Sequence, residues 1–406
     1  MNVAGRMLFA LAIALTSLAA MSPERSEQPA DDGEIRVGNL MPYTGKLAEF
    51  AAIGKAEAAY FDMINARGGI NGRKIRFISR DDNSDPTVAL DLTRGLVERD
   101  NVHLMFGSFG TPGNLAVRRF LNEKKVPQLF VASGAEELSD PKAFPWTMGW
   151  QPSFQAEGRI YANYIQAAYP ERKIVVLWQN DQFGHDLYKG IQKGLGDLKR
   201  MIIVGVAFDI DDAHIDGHVS ILKRSGGEIL IFAGVPTTAS QVVRLATDFR
   251  WHPALLLNDA AASIGSALGP AAAQNTGVIS AAFLKDPSDP AWKDDPGIKD
   301  WLDFIDKYYP KGDKTSTAAL YGYAAAETLV QVLKQCGNDL SRENIMRQAA
   351  SLRDFAPSVL LPGIKINTSP DDYRPIKHMR LVQFDGRTWQ PIGDVIDTAF
   401  SDTQKK

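Results

Sequence analysis

The sequence predicts an α/β protein built as two doubly wound lobes of parallel sheet. Two observations carry that expectation. Short apolar runs alternate with amphipathic helical runs from residue 34 onward, and the alternation stops near Gln151 and starts again after Pro152. Strict alternation of strand and helix is the pattern of parallel sheets covered on both faces. A chain of 406 residues also exceeds what one ordinary core holds and suits two domains.

The elements follow in order. "IRVGNLM" reads as a strand. "AEFAAIGKAEAAYFDMINARGG" reads as a helix, with Ile53, Ala56, Tyr60 and Ile64 on one face and Gly68-Gly69 as its stop. "KIRFIS" is a strand, and "DPTVALDLTRGLVERD" a helix with Asp85 as N-cap and Pro86 at its start. "VHLMFG", "PGNLAVRRFLNEKK" and "PQLFVA" complete the first run as strand, helix, strand. The second run begins with helix "SFQAEGRIYANYIQAAY", strand "KIVVLWQ" and helix "FGHDLYKGIQKGL". It continues through "MIIVGVAF", "IDGHVSILKRSG", "EILIFAG", "TTASQVVRLATDF" and "PALLLND". The last third differs. "PGIKDWLDFIDKYY", "TAALYGYAAAETLVQVLKQCG" and "SRENIMRQAASL" are helices, the third capped by Ser341. "LPGIKINTS", "HMRLVQFDG" and "TWQPIG" read as a terminal strand set.

The first 22 residues have a positive start, an apolar stretch from Met7 to Leu15, and small residues around Ser17 and Ala19. This is the layout of a cleaved secretory signal. The strongly apolar part is short of the ~20 residues that span a bilayer. Residues 23–33 are polar and expected to be disordered. The mature chain is expected to be exported.

Composition excludes several functions. A formal net charge of −3 leaves no basic footprint, so nucleic acid is not an expected partner. Cys336 is the one cysteine, which rules out an intrachain disulfide and a four-cysteine zinc site. "FGSFGTPGN", Phe106 to Asn114, has the glycines of a phosphate loop but no lysine where a Walker loop needs one. It is not the G-x-G-x-x-G dinucleotide fingerprint, and the chain contains no G-x-S-x-G elbow. "DIDDAHIDGHVS" places His214 and His218 four apart but lacks the H-E-x-x-H glutamate; an acidic loop ahead of a helix explains it without a metal. No metal, cofactor or catalytic residue is therefore assigned. What remains is a set of small or polar loops at strand carboxyl ends: "FGSFGTPGN", "FVASGAEEL", "QNDQFGHD", "FAGVPTT" and "LLNDAA". In doubly wound sheets the ligand crevice lies there, and hydroxyls beside a helix N-terminus suit an anion.

"VGNLMPYTGKLAEFAAIGKAEAAYFDMINARGGINGRKIRF" followed by "DDNSDPTVA", and then in order "KKVPQLFVASGA", "QNDQFG" and "LKRSGGEILIFAG", resemble a known family. These are the exported solute-binding proteins of branched-chain amino acid (Leu/Ile/Val-type) ABC transporters, of the type I periplasmic-binding-protein family. The resemblance runs from about Ile35 to Ile392. It implies two lobes joined by three crossing segments, near Gly149–Ser153, Gly277–Phe283 and Phe355–Leu361. The N-terminal lobe would hold residues 34–151 and 284–356, the C-terminal lobe 152–283 and 357–397, with 398–406 as a tail. It further implies a monomer that closes on a small-molecule ligand and docks on a membrane ABC permease.

Carried over by position, Thr111 matches a hydroxyl that binds the ligand carboxylate. Ala132 and Gly134 match backbone positions for the carboxylate and amino groups, with Ser133 in the same loop. Phe50 and Phe183 match aromatic walls, and Asp259 an acid for the α-amino group. Phe50, Trp150 and Phe183 suggest an apolar ligand body. Val235 stands where family members often carry Tyr, and Gly134 where they carry a hydroxyl. Ser84 and Gly110 stand where some pair cysteines. The ligand implied is an apolar amino acid. The alternatives are an aromatic or aliphatic acid without an α-amino group, or a sensor on the same fold.

Overall fold

Strand β1 (Glu34–Met41) is buried along nearly its whole length, as a central strand of a parallel sheet must be. It pairs in parallel with β2 (Lys74–Asp81) on one side and β3 (Leu104–Phe106) on the other; β4 (Gln128–Val131) and β5 (Thr147–Gly149) extend the sheet in the order β2-β1-β3-β4-β5. The computed structural model describes residues 33–269 and 275–398. The secretory signal at 1–22, nearly all of the 23–33 segment and the tail beyond 398 lie outside the described residues.

Helices α1 (Ala51–Ala66), α2 (Pro86–Glu98) and α3 (Thr111–Glu123) connect these strands. α2 begins where the sequence places it. The Asp85 carboxylate accepts from the amides of Thr87 and Val88 at 2.7 and 3.2 Å, and Pro86 occupies the first turn, where its missing N–H costs nothing.

The second sheet takes α4 (Phe154–Ala168), β6 (Ile174–Gln179), α5 (Gln182–Leu195), β7 (Ile202–Phe208), α6 (Ile215–Arg224), β8 (Ile229–Ala233), α7 (Pro236–Asp248), β9 (Ala254–Leu257) and β10 (Ile279–Ala282). After α8 (Pro296–Tyr308), α9 (Thr317–Gln335) and α10 (Arg342–Ala349), the chain adds β11 (His378–Phe384) and β12 (Trp389–Asp397). The order is β12-β11-β10-β9-β8-β6-β7, parallel from β10 to β7 and antiparallel at the β11–β12 edge. α4 and α5 cross at backbone contact. A Cβ on Gly158 would lie 2.3 Å from the Leu187 carbonyl oxygen, and one on Gly190 2.2 Å from that of Gln155.

α9 packs along α1, α8 also touches α1, and α10 packs on α9. A guanidinium N–H of Arg342 donates to the carbonyl of Val102 at 2.9 Å. The helices after residue 286 thus cover the first sheet, although they follow the second in sequence.

Four chain stretches meet where the sheets adjoin. Leu284 bridges Leu360, with Lys285 N donating to Val359 O at 3.0 Å and Leu361 N to Phe283 O at 2.9 Å. Ile376 N donates to Trp150 O at 3.3 Å. The Gly277–Phe283 stretch expected to cross is mostly β10 itself, and the pairing falls just after it. The "LPGIKINTS" segment is not a strand. Pro362 and the positive φ of Gly363 interrupt it, and Ile366 makes isolated bridges to Phe355 and Ile376.

Candidate ligand-binding cleft

The carboxyl ends of β3 and β4 face those of β6, β8 and β9 across a cleft of about 590 Å³. Phe50, Thr111, Ala132 and Ser133 line it from the first sheet's side. Phe183, Val235 and Asp259 line it from the second. At its rim the two sides touch. Lys46 Nζ lies 2.7 Å from an Asp211 carboxylate oxygen, and the Thr237 hydroxyl donates to Glu49 at 3.2 Å. Both partners of the Lys46–Asp211 pair are exposed, so the pair contributes little energy. Burial raises the Glu49 carboxyl above its usual range, an effect the Thr237 hydrogen bonds partly offset.

Thr111 is the first residue of α3, and its predecessor Gly110 has φ +88°, which swings the chain from strand into helix. No side chain caps this helix, so its terminal amides keep their partial positive charge for something else. The Thr111 and Ser133 hydroxyls lie 2.7 Å apart, and Ser133 Oγ also accepts from the Ala135 amide at 3.2 Å. Ser133 can therefore donate its proton to Thr111, which leaves the Thr111 proton for an acceptor in the cleft. Ser108 is buried and does not line the cleft. Its hydroxyl accepts from Leu40 N and its carbonyl from Ala132 N and Asn114 Nδ2, so it holds the turn together.

The apolar walls are two aromatic pairs. Phe50 stacks on Phe109 at 4.6 Å between centroids, and Phe183 meets Phe154 edge-on at 4.8 Å. Tyr321 of α9 lines the same cleft and donates to Gln151 at 2.9 Å.

Asp259 lies in a short 3-10 turn after β9. Its carboxylate accepts from the Ala260 amide at 2.6 Å, and its own amide donates to Glu157 Oε1 at 2.7 Å. Burial raises the Asp259 carboxyl above its usual range. Burial raises Glu157 further, with the nearby Asp259 charge adding to it.

Two of the expected site residues do not reach the cleft. Trp150 is fully buried behind it. Its indole N–H donates to Thr328 at 3.1 Å and its ring packs edge-on against Phe283 and Tyr321. Gly134 is a packing position. Its carbonyl accepts from Phe154 N at 2.9 Å, and a Cβ there would lie 2.5 Å from the Pro152 oxygen. Ala132 does line the cleft, but its amide donates to Ser108 O and its carbonyl accepts from Gly110 N at 3.1 Å, so only the second lone pair of that carbonyl is left to offer. The sequence reading missed Phe109, Phe154, Glu157 and Tyr321. Phe109 lies within "FGSFGTPGN" and could have been found there. Glu157 and Tyr161 share a helix face at i, i+4, but nothing local marks that face as buried.

The acidic "DIDDAHIDGHVS" loop resolves into separate pairs. His218 Nε2 meets Asp212 at 2.7 Å, Asp209 accepts from Asn180, and Asp211 faces Lys46. Among the described residues no cluster of His, Cys, Asp and Glu could hold a metal.

Two parallel α/β lobes with a cleft between their strand carboxyl ends, walled by helix N-termini, define a bilobal solute-binding protein of type I architecture. The family model described as "Periplasmic binding protein" matches residues 34–388, and the chain belongs to that family. A curated relative, the Leu/Ile/Val-binding protein homolog 1 of Brucella suis, is 25% identical over 316 residues, covering 76% of this chain and 81% of its own. Among solved structures, a branched chain amino acid ABC transporter protein from Thermus thermophilus with bound valine superposes with a TM-score of 0.81 at 17% identity. That match covers 90% of this chain and 97% of the other. A solute binding protein from R. palustris in complex with benzoate gives 0.74 at 18% identity, covering 90% and 98%.

Proposed function

We propose that this chain is an exported, periplasmic solute receptor that binds a small carboxylate, an apolar amino acid, and delivers it to a membrane ABC permease. One observation carries the reading. The Thr111–Ser133 hydroxyl pair at an uncapped helix N-terminus and the Asp259 carboxyl stand on opposite sheets but line a single cleft. The first suits a carboxylate and the second an ammonium. The aromatic pairs and Val235 suit an apolar body. We take the lobes as residues 34–151 with 284–356, and 152–283 with 357–397. The packing of α8–α10 over the first sheet supports this division. The receptor acts as a monomer, converts nothing and needs no cofactor. Ligand favours the closed arrangement because only then do both lobes contact it.

A second reading, an aromatic or aliphatic acid without an amino group, is favoured by the aromatic walls of the cleft, the Phe50–Phe109 stack and the Phe154–Phe183 pair. A thermal-shift screen with leucine, valine, benzoate and aliphatic acids separates the readings. A ligand at a hundred times its Kd should add about 2.7 kcal/mol of stability, and no response to any small carboxylate would sink both. With the ligand in hand, Thr111→Val should cost roughly 1.5–3 kcal/mol of affinity, the worth of a hydrogen bond to a charged group. Titration calorimetry of the variant checks this, and unchanged affinity would remove Thr111 from the site.

A further inference from the structure

The protons around Glu157 can be counted. This residue lies on α4 with 2% of its surface exposed. Its Oε1 accepts from the Asp259 amide at 2.7 Å and lies 2.6 Å from the Tyr161 hydroxyl oxygen. The same hydroxyl accepts from the Ala281 amide at 3.1 Å and lies 2.8 Å from the carbonyl oxygen of Leu257. A phenol has one proton. The Leu257 carbonyl can only accept, so the short contact to it uses the Tyr161 proton. The 2.6 Å contact between Tyr161 and Glu157 then has no proton unless Glu157 supplies one. The titratable groups facing this cluster agree. They are Asp259 from the turn after β9, whose carboxylate is also hydrogen-bonded to the Glu157 carboxyl and so offers its proton a second acceptor, Tyr161 from α4 itself and Tyr321 from α9, which faces Asp259. None is a cation, and burial also favours the uncharged acid.

We infer that Glu157 is a positioning residue held as the neutral acid: it donates to Tyr161, accepts the Asp259 amide, and leaves Asp259 as the single negative charge on that wall of the cleft. The inference rests on the reading above only in what it implies for the ligand. An ammonium group entering the cleft meets one charge and not two, which suits a ligand with a single cationic group. The hydrogen bond from Asp259 N fixes the turn that presents that charge, so Glu157 acts through Asp259 and does not touch the ligand.

The test compares wild type with Glu157→Gln, which keeps the shape but cannot ionise. Unfolding equilibria are measured by denaturant between pH 4.5 and 8, without ligand. A buried neutral acid keeps its proton when folded and releases it when unfolded. Between its unfolded and folded pKa values, wild type must therefore lose stability relative to Glu157→Gln as pH rises. The ratio of the two unfolding constants should change by up to tenfold per pH unit. Glu57 and Glu327, which burial also raises, occur in both proteins and cancel in the ratio; Asp259, which is hydrogen-bonded to Glu157, does not, so the pair is also compared in an Asp259→Asn background. A ratio that is flat, or that runs the other way, overturns the inference. The infrared difference between the two folded proteins at pH 7 should show a protonated carboxyl C=O band in wild type alone, and its absence would count equally against it. Neither measurement involves ligand, so a failure of the amino acid reading would appear separately, in the leucine affinity of Asp259→Asn.

Discussion

Asp259→Asn is expected to weaken the binding of an apolar amino acid by about 2–5 kcal/mol, the cost of truncating one partner of a desolvated charge pair. At about 1.4 kcal/mol per tenfold, the loss is easily seen by calorimetry. Asn fits the turn as well as Asp, because its side-chain oxygen can still accept from the Ala260 amide, so the loss should lie in affinity and not in stability. An acid without an amino group should bind the variant as well as it binds wild type, or better, since a half-buried charge with no counter-ion has gone. Unchanged leucine affinity would reject the amino acid reading and leave the second one. The pH dependence carries the same sign. Burial raises the Asp259 carboxyl in the free protein, and a neighbouring ammonium lowers it again. Ligand and proton therefore compete, and leucine affinity should fall as pH drops through the raised Asp259 range. In Asp259→Asn that dependence should disappear.

The sequence made most of the fold legible, because strand and helix periodicity are local properties. The Asp85 cap and the Gly68-Gly69 stop of α1 could both be read directly. β5 and β10 could not. Each is only three or four residues long and is a strand only because a neighbour supplies its pairing. Half of the cleft was legible for a similar reason. Thr111 and Ser133 sit at strand ends, where the topology fixes the direction they face. Glu157 was hidden. A glutamate on a helix reads as solvated until a sheet covers that face, and the sheet that does so is assembled from residues more than a hundred positions away. Trp150 failed in the opposite direction. An aromatic residue just past a strand end can face the cleft or back into the junction between sheets, and only the position of Phe283 and Tyr321 decides which.

That decision has a large measurable consequence. Trp150→Ala is expected to cost about 3–5 kcal/mol of folding stability, the usual price of emptying a fully packed aromatic site. Trp150 has no exposed surface and packs against Phe283 of one junction segment and Tyr321 of α9. Its removal also leaves Thr328 Oγ1 without its indole donor, although the Thr328 bond to Ala324 remains. Denaturant unfolding of the ligand-free protein measures this loss directly. Phe183→Ala should reverse the pattern. Phe183 is half-buried in the cleft wall against Phe154, so its loss should weaken an apolar ligand while costing less stability than Trp150→Ala. A Trp150→Ala protein of normal stability that no longer bound ligand would return Trp150 to the cleft wall. The opposite pattern means that this ring works as a wedge under the junction. Its neighbours Phe283 and Tyr321, and not Trp150 itself, line the cleft.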